Sequence, residues 1–424
     1  MNWLLKHLTI IDPSAPDNGH TLDIHIADGR IQAIALELKV ENASVFEVAG
    51  ACVSPGWIDV GVQACDPGYE DREDLQSAAR AAAAGGYTAM VVQPNTLPVL
   101  DSKSEILYIL KNTRHLPVDC YPIGAVSENC NGKDITEMLD MHTAGAIAFS
   151  DGKKAIQDSG LMLRALQYVL PFNGLIINQP LDAGLTNEGQ MHEGLVSTVL
   201  GLRGIPAIAE ELMVERDLNL LAYAGSRLHI ANVSTAGAVA RIRAAKAQGL
   251  QVTASVAALN LLLDEEALGD FDSNCKVMPP LRSSADRAAL IAGLADSTLD
   301  FIVSNHSPIN EENKKREFPY AEFGAIGLET AFAAARTALQ NSLKIEALIV
   351  KLALRPRQIL GLPVPRIAVG ETANLTIFDP NRQWTFRTED IRSKSHNNPL
   401  VGHTLTGRVL AIINNHQSEF FHHP

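Results

Sequence analysis

About eight short apolar runs, each followed by a loop or a helix, constrain this chain more than any other feature. They are Trp57 to Ala64, Thr88 to Val92, Val118 to Ile123, Ala146 to Phe149, Leu175 to Ile177, Arg227 to Ala231, Gln251 to Val256 and Asp300 to Val303. Near-continuous apolar runs are what parallel strands need when both faces of their sheet are covered. Parallel neighbours cannot be joined by a tight turn, so a crossover must lie between them. Two crossover helices are plain. Asp74 to Ala84 is alanine-rich and stops at Gly85-Gly86, and Thr235 to Gln248 stops at Gly249, since glycine past the last turn ends a helix. This alternation predicts an α/β chain folded as a (β/α)8 TIM barrel.

Outside that span the pattern changes. Leu4 to Asp12, Leu22 to Ile26 and Ile31 to Ala35 read as short strands, and Asp28-Gly-Arg30 between the last two is a hairpin signal. After about residue 360, short strands return at Ala373 to Phe378, Gln383 to Phe386 and Arg408 to Asn414. The expected organisation is a barrel over 55–360, with 1–54 and 361–424 as the two parts of one small β domain. Composition limits the partners. A net charge of -13 lacks the basic footprint of nucleic-acid binding, and no apolar run approaches the roughly 18 residues of a membrane helix. Five scattered cysteines without a CxxC fit a reduced compartment, and Met1-Asn-Trp-Leu-Leu-Lys6 lacks a signal-peptide pattern. A cytoplasmic location is expected, with neither nucleic acid nor membrane as a partner.

In such a barrel the chemistry lies at the carboxyl ends of the strands. Those ends read Gln63, then Gln93 and Asn95, Ser150 and Asp151, Gln179, Asn232, Asn260 and Asn305. Neutral amides dominate. They can satisfy one another by hydrogen bonds, but zinc takes thiolate, imidazole or carboxylate.

The stretch Pro55-Gly-Trp-Ile-Asp-Val-Gly-Val-Gln-Ala-Cys-Asp-Pro-Gly68 resembles the barrel-opening strand of the dihydroorotases, within the cyclic-amidohydrolase superfamily. That family carries Pro-Gly-x-x-Asp-x-His-x-His-x-Arg-Glu-Pro-Gly, with two metal-binding histidines and an arginine for the substrate carboxylate. Gly61, Gln63 and Cys65 stand at those three positions. The likeness continues along the chain. Pro94-Asn95-Thr96 matches a substrate-contacting Pro-Asn-Thr, and Ala148-Phe-Ser-Asp-Gly152 matches a stretch whose aspartate lies at the metal in one class. Gln179, ahead of Gly189-Gln-Met-His-Glu-Gly194, and Asn232, in Asn-Val-Ser-Thr235, stand for ligand histidines. Met278 replaces a substrate-binding asparagine, Asn305 the metal-bound general base, and Ile309 a substrate-contacting histidine. Phe323-Gly-Ala-Ile-Gly-Leu-Glu-Thr330 keeps the packing signature.

The resemblance implies a catalytic and metal site in which Gly61, Gln63, Cys65, Gln179, Asn232, Asn305 and Ile309 are all degenerate, leaving Asn95 and Asp151 as remnants. Loss of one residue supporting a metal ligand already costs roughly 10–100-fold in affinity or activity. No cofactor is expected. The expected function is that of a non-catalytic dihydroorotase-like chain, a pseudoenzyme supporting the assembly or activity of aspartate carbamoyltransferase in pyrimidine biosynthesis. Its partner would be the catalytic chain of that enzyme, in a hetero-oligomer that is a dodecamer by family resemblance, with self-association as a dimer. The alternative is a metal-independent or altered-substrate cyclic amidohydrolase. Several residues have simpler readings. Asn95 between Pro94 and Pro98 reads as a turn-former, Asp151 as a loop or cap acid, and His229 as a satisfied core histidine. His306 reads as packing beside the old site, Cys65 as an ordinary buried thiol, and His422-His423 as a disordered end.

Overall fold

The structure, a computed structural model, describes residues 1–421; His422-His423 lie outside the described residues. Five strands come first: Asn2–Ile10 (β1), Thr21–Ala27 (β2), Arg30–Ala35 (β3), Ser44–Glu47 (β4) and Cys52–Pro55 (β5). Asp28 and Gly29 both have positive φ, 51° and 72°, as in the two-residue turns whose twist matches that of the paired strands. The hairpin signal is therefore realised between β2 and β3.

The barrel begins at Trp57. Trp57–Val62 (β6), Tyr87–Val92 (β7), Asp119–Gly124 (β8), Ala148–Phe149 (β9) and Ile176–Asn178 (β10) follow in order. A side ribbon of Met191–His192 (β11) and Gly204–Ile205 (β12) precedes Leu228–Ile230 (β13), Val252–Ala257 (β14) and Phe301–Val303 (β15). The eight barrel strands stand in chain order, each parallel to the next. Each matches a predicted run, with ends that differ by a residue or two. At the seam between β15 and β6, Gln63 N donates to His306 O at 3.1 Å and Ser304 N donates to the buried Asp59 carboxylate at 2.7 Å. Burial raises Asp59 to about 6, against the pull of Ser304. Ile58, Val60, Ala89, Val91, Phe301 and Val303 belong to the packed barrel interior, so the barrel is filled rather than open.

The helices predicted from alanine and glycine are present. Leu75–Ala84 is capped by Asp74, which accepts from Ser77 N at 2.7 Å, and Ala236–Ala247 is capped by Thr235. An oxygen at that position satisfies an otherwise unpaired N–H of the first turn.

The last strands are Leu375–Thr385 (β16), Thr404–Asn414 (β17) and Gln417–Phe420 (β18). They join the first five in one sheet of order β18-β17-β16-β5-β1-β2-β3, with β4 on β1. Both chain ends thus build the β domain, as expected. The two strands predicted before residue 387 merge into β16, whose register shifts between Asp379 and Gln383. Trp57 sits where sheet and barrel meet: fully buried, it donates to Ser54 Oγ at 2.8 Å and packs on Phe332 and Phe378 at 4.6 and 5.3 Å. Among the described residues no helix is long and apolar enough to cross a membrane.

Candidate active site

The carboxyl ends of β10, β13 and β15 bring Gln179, Asn232 and Asn305 together. Asn232 Nδ2 donates to Gln179 Oε1 and to Asn305 Oδ1, each at 3.2 Å, and Asn305 Nδ2 donates to the Met278 carbonyl at 3.1 Å. Asn232 and Asn305 both have φ of 54°, a left-handed conformation that asparagine tolerates better than most residues. A fourth residue completes the group, and sequence reasoning missed it. Lys153 Nζ donates to Asn305 Oδ1. Among the described residues no carboxylate forms an ion pair with this amine, and burial, partly opposed by Asp59, brings its pKa down to about 8. A cleft of about 360 Å³ opens here, with Asp151, Lys153, Gln157, Gln179 and Leu181 among its walls.

Lys153 is held by its loop. Asn95, just past β7, donates from Nδ2 to the Asp151 carbonyl and accepts from Lys153 N, both at 3.0 Å. Between them Gly152 has φ of +63°, and a Cβ there would lie 1.9 Å from Asn95 Oδ1. Asp151 faces a different loop: its carboxylate accepts from Val126 N at 3.0 Å, from Ser127 N at 2.9 Å and from Ser127 Oγ. Burial raises its pKa, and these donors act against the rise. Asn95 and Asp151, substrate and metal contacts by resemblance, are here fasteners of neighbouring loops. The available signal for Lys153 was a lysine placed just after the short strand and Ser150-Asp-Gly152.

The other compared positions are apolar, amide or buried. Gly61 sits at φ +93°, where the β6–β7 register shifts between Val60 and Val62. Cys65 is buried, and desolvation pushes its thiol up to about 12, so it is no nucleophile at neutral pH. Ile309 is buried, with its N–H on Asn397 Oδ1 at 3.2 Å. Asn260 lies in a short helix and donates to the Pro280 carbonyl at 3.1 Å rather than joining the amide group. His306 accepts from Gly327 N at Nδ1 and so donates from Nε2 to Glu73, at 3.3 Å. Burial opposes ionisation of Glu73, but His306, Ser393 and Ser77 hold it below the usual carboxylate range. Glu73 lies in the charge run Glu70-Asp-Arg-Glu-Asp74, whose spacing does not show that this one acid is buried. His229 bonds Thr253 and Ser255 hydroxyls and stacks on Phe301 at 4.7 Å inside the barrel. Burial lowers it to about 3.

These residues do not fit the family's metal. Among the described residues no three histidine, cysteine, aspartate or glutamate side chains are grouped to hold an ion. Gly61 offers no donor atom, and the amides at 63, 179, 232 and 305 are poor zinc ligands.

The class of fold is a parallel eight-stranded barrel with a polar mouth at its strand ends, joined to a β domain from both termini. Residues 50–238 match the family described as dihydro-orotase-like. A dihydroorotase of Pelotomaculum thermopropionicum is 42% identical over 97% of this chain and 97% of its own. A dihydroorotase of Syntrophus aciditrophicus is 41% identical over 97% and 98%. The chain belongs to the dihydroorotase family. Among solved structures, the L-hydantoinase (dihydropyrimidinase) of Arthrobacter aurescens superposes with a TM-score of 0.86 at 22% identity, covering 98% of this chain and 95% of that one. The dihydropyrimidinase of Brevibacillus agri NCHU1002 gives 0.81 at 22% identity, over 99% and 96%. At such identity these two establish the fold.

The relatives overturn two expectations: that the chain is the non-catalytic, pseudoenzyme chain of aspartate carbamoyltransferase, and that it is not an enzyme. Curated proteins matched over nearly their whole length carry the name dihydroorotase. Replaced ligands remove one way to activate water, but they leave the fold, the mouth and its charge in place.

Proposed function

We propose that the chain is a catalytic dihydroorotase-type cyclic amidohydrolase of pyrimidine biosynthesis, working at the barrel mouth on a dihydropyrimidine ring. The observation that carries this reading is the 42% identity over 97% of the chain to a relative named dihydroorotase. The reaction opens a cyclic amide. Water oxygen bonds to the ring carbonyl carbon, the C–N bond breaks, and the ring nitrogen takes a proton; closure is the reverse. Such chemistry needs a walled, polar pocket that offsets charge developing on oxygen. The cleft beside Gln179 supplies a wall with two lysines, Lys153 and Lys154, of which Lys153 reaches the amide group at the strand ends. No step is assigned to zinc, because the residues present do not fit it.

The test is turnover by the purified full chain, followed in both directions with dihydroorotate and with N-carbamoyl-aspartate, before and after treatment with a chelator. Ring opening and closure that survive the chelator are expected. Turnover of neither compound would overturn the reading, and turnover of hydantoin or dihydrouracil alone would overturn the dihydroorotate assignment.

A further inference from the structure

We infer that Lys153 is the specificity residue of the mouth: its ammonium takes the carboxylate of a small cyclic amide or ureido acid, while the carbonyl oxygen of Asn232 accepts an N–H of the same ligand. This deepens the dihydroorotase reading and rests on it for the ligand class.

Three observations converge. The first is the amine. Lys153 Nζ donates to one neutral amide oxygen, that of Asn305, and among the described residues it has no carboxylate in an ion pair. An ammonium taken partly out of water with no carboxylate paired to it, and with only the longer-range charge of Asp59 acting in its favour, is costly, and an anionic ligand would relieve it. The second is Asn232. The residue is 6% exposed, its Nδ2 is engaged by both Gln179 and Asn305, and among the described residues its buried Oδ1 has no hydrogen-bond partner. A buried acceptor without a donor is unfavourable, and a ligand N–H reaching past Gln179 would satisfy it. Asn305 offers no substitute acceptor, because its Oδ1 already receives Lys153 and Asn232. The third is the cleft of about 360 Å³, whose walls include Lys153 and Gln179. That volume lies within the range of small-molecule sites.

Together these demand a ligand with one anion and at least one N–H. A cyclic amide bearing a carboxylate satisfies both, and so does the open ureido acid. The same ring without a carboxylate satisfies only the acceptor. Positions 65 and 309, where the family has a charged and a polar substrate contact by resemblance, carry a buried thiol and a buried isoleucine. Of the two lysines on the cleft wall, Lys154 is exposed and Lys153 reaches Asn305 at the mouth, so Lys153 is the cation placed to discriminate by charge. Its approach is fixed by Asn95, which binds the backbone on both sides of Gly152.

The experiment is calorimetric titration of the intact chain with dihydroorotate and, separately, with dihydrouracil, the ring lacking the carboxylate. Wild type should bind dihydroorotate more tightly. K153Q should weaken dihydroorotate roughly 10- to 100-fold and leave dihydrouracil unchanged, and K153R should recover part of the loss. Unchanged thermal unfolding of K153Q would show that the fold is intact. Equal weakening of both ligands, no weakening of either, or no binding of dihydroorotate by wild type would each overturn the inference. Failure of the functional reading is distinguishable: binding that depends on Lys153 without turnover would remove the enzyme assignment and leave the binding role standing.

Discussion

Gly61 and Lys153 show how far single residues decide the chemistry of this mouth. At φ +93° Gly61 occupies a conformation that an L side chain adopts at a cost of about 1–2 kcal/mol. G61A is expected to lower stability by that amount in urea unfolding, and an unchanged midpoint would refute the strain. By the same reasoning the double variant G61H/Q63H should not gain stoichiometric zinc, since Asn232, Gln179 and Asn305 remain amides. Elemental analysis after dialysis showing one zinc per chain would disprove this. Lys153 makes a pH prediction with a definite sign. Burial lowers the amine to about 8, and the charge acting against that is Asp59. The ammonium is present below that pH and lost above it. Dihydroorotate affinity should therefore fall as pH rises through about 8 in wild type and stay flat in K153Q; a flat wild-type profile would contradict the assignment. The amides at 63, 179, 232 and 305 were legible as strand-end residues because their spacing follows the apolar runs. Lys153 was not, because its place depends on a left-handed glycine and on Asn95 from another strand.

At the scale of elements, the strands were legible and their helpers were not. The barrel strands, from β6 to β15, announce themselves because both faces are covered, which forces continuous apolar sequence. β11 and β12 have two residues each and β18 has four, too short for any periodicity to show. The loop after β9 was read only as far as Gly152, although the next residue, Lys153, carries the cation. The expected non-catalytic role failed for a related reason: lost ligands were read position by position, whereas family membership is a property of the whole chain. β13 offers a test of interior chemistry. His229 is held neutral by burial, with a folded pKa of about 3, below the ordinary value of about 6.5 in the unfolded chain. The depressed value means that stability is full above about pH 6.5 and is lost as pH falls toward 3. One such group contributes a slope of up to about 1.4 kcal/mol per pH unit. H229Q should flatten unfolding free energy between pH 6.5 and 4.5, and an unaltered slope would place the acid sensitivity elsewhere.

For the whole molecule, the junction at Trp57 couples sheet and barrel. Its indole touches Phe332 in the helical layer and Phe378 in the sheet, so its removal should loosen both. W57A is expected to cost about 3–5 kcal/mol and to lower barrel and sheet together, seen as one shifted transition by both fluorescence and circular dichroism. Two separated transitions would show that the units fold independently. The β domain has a consequence in time as well as in space. β5 is made early, yet its partner β16 is synthesised roughly 300 residues later. At about 5–20 residues per second, the newborn chain carries that strand edge bare for tens of seconds, while the barrel is still emerging. Open edges invite pairing with other chains. Messages cut short before Leu375 should therefore yield aggregates rather than a smaller soluble barrel, and full-length yield should rise when translation is slow relative to chaperone capture of the nascent chain.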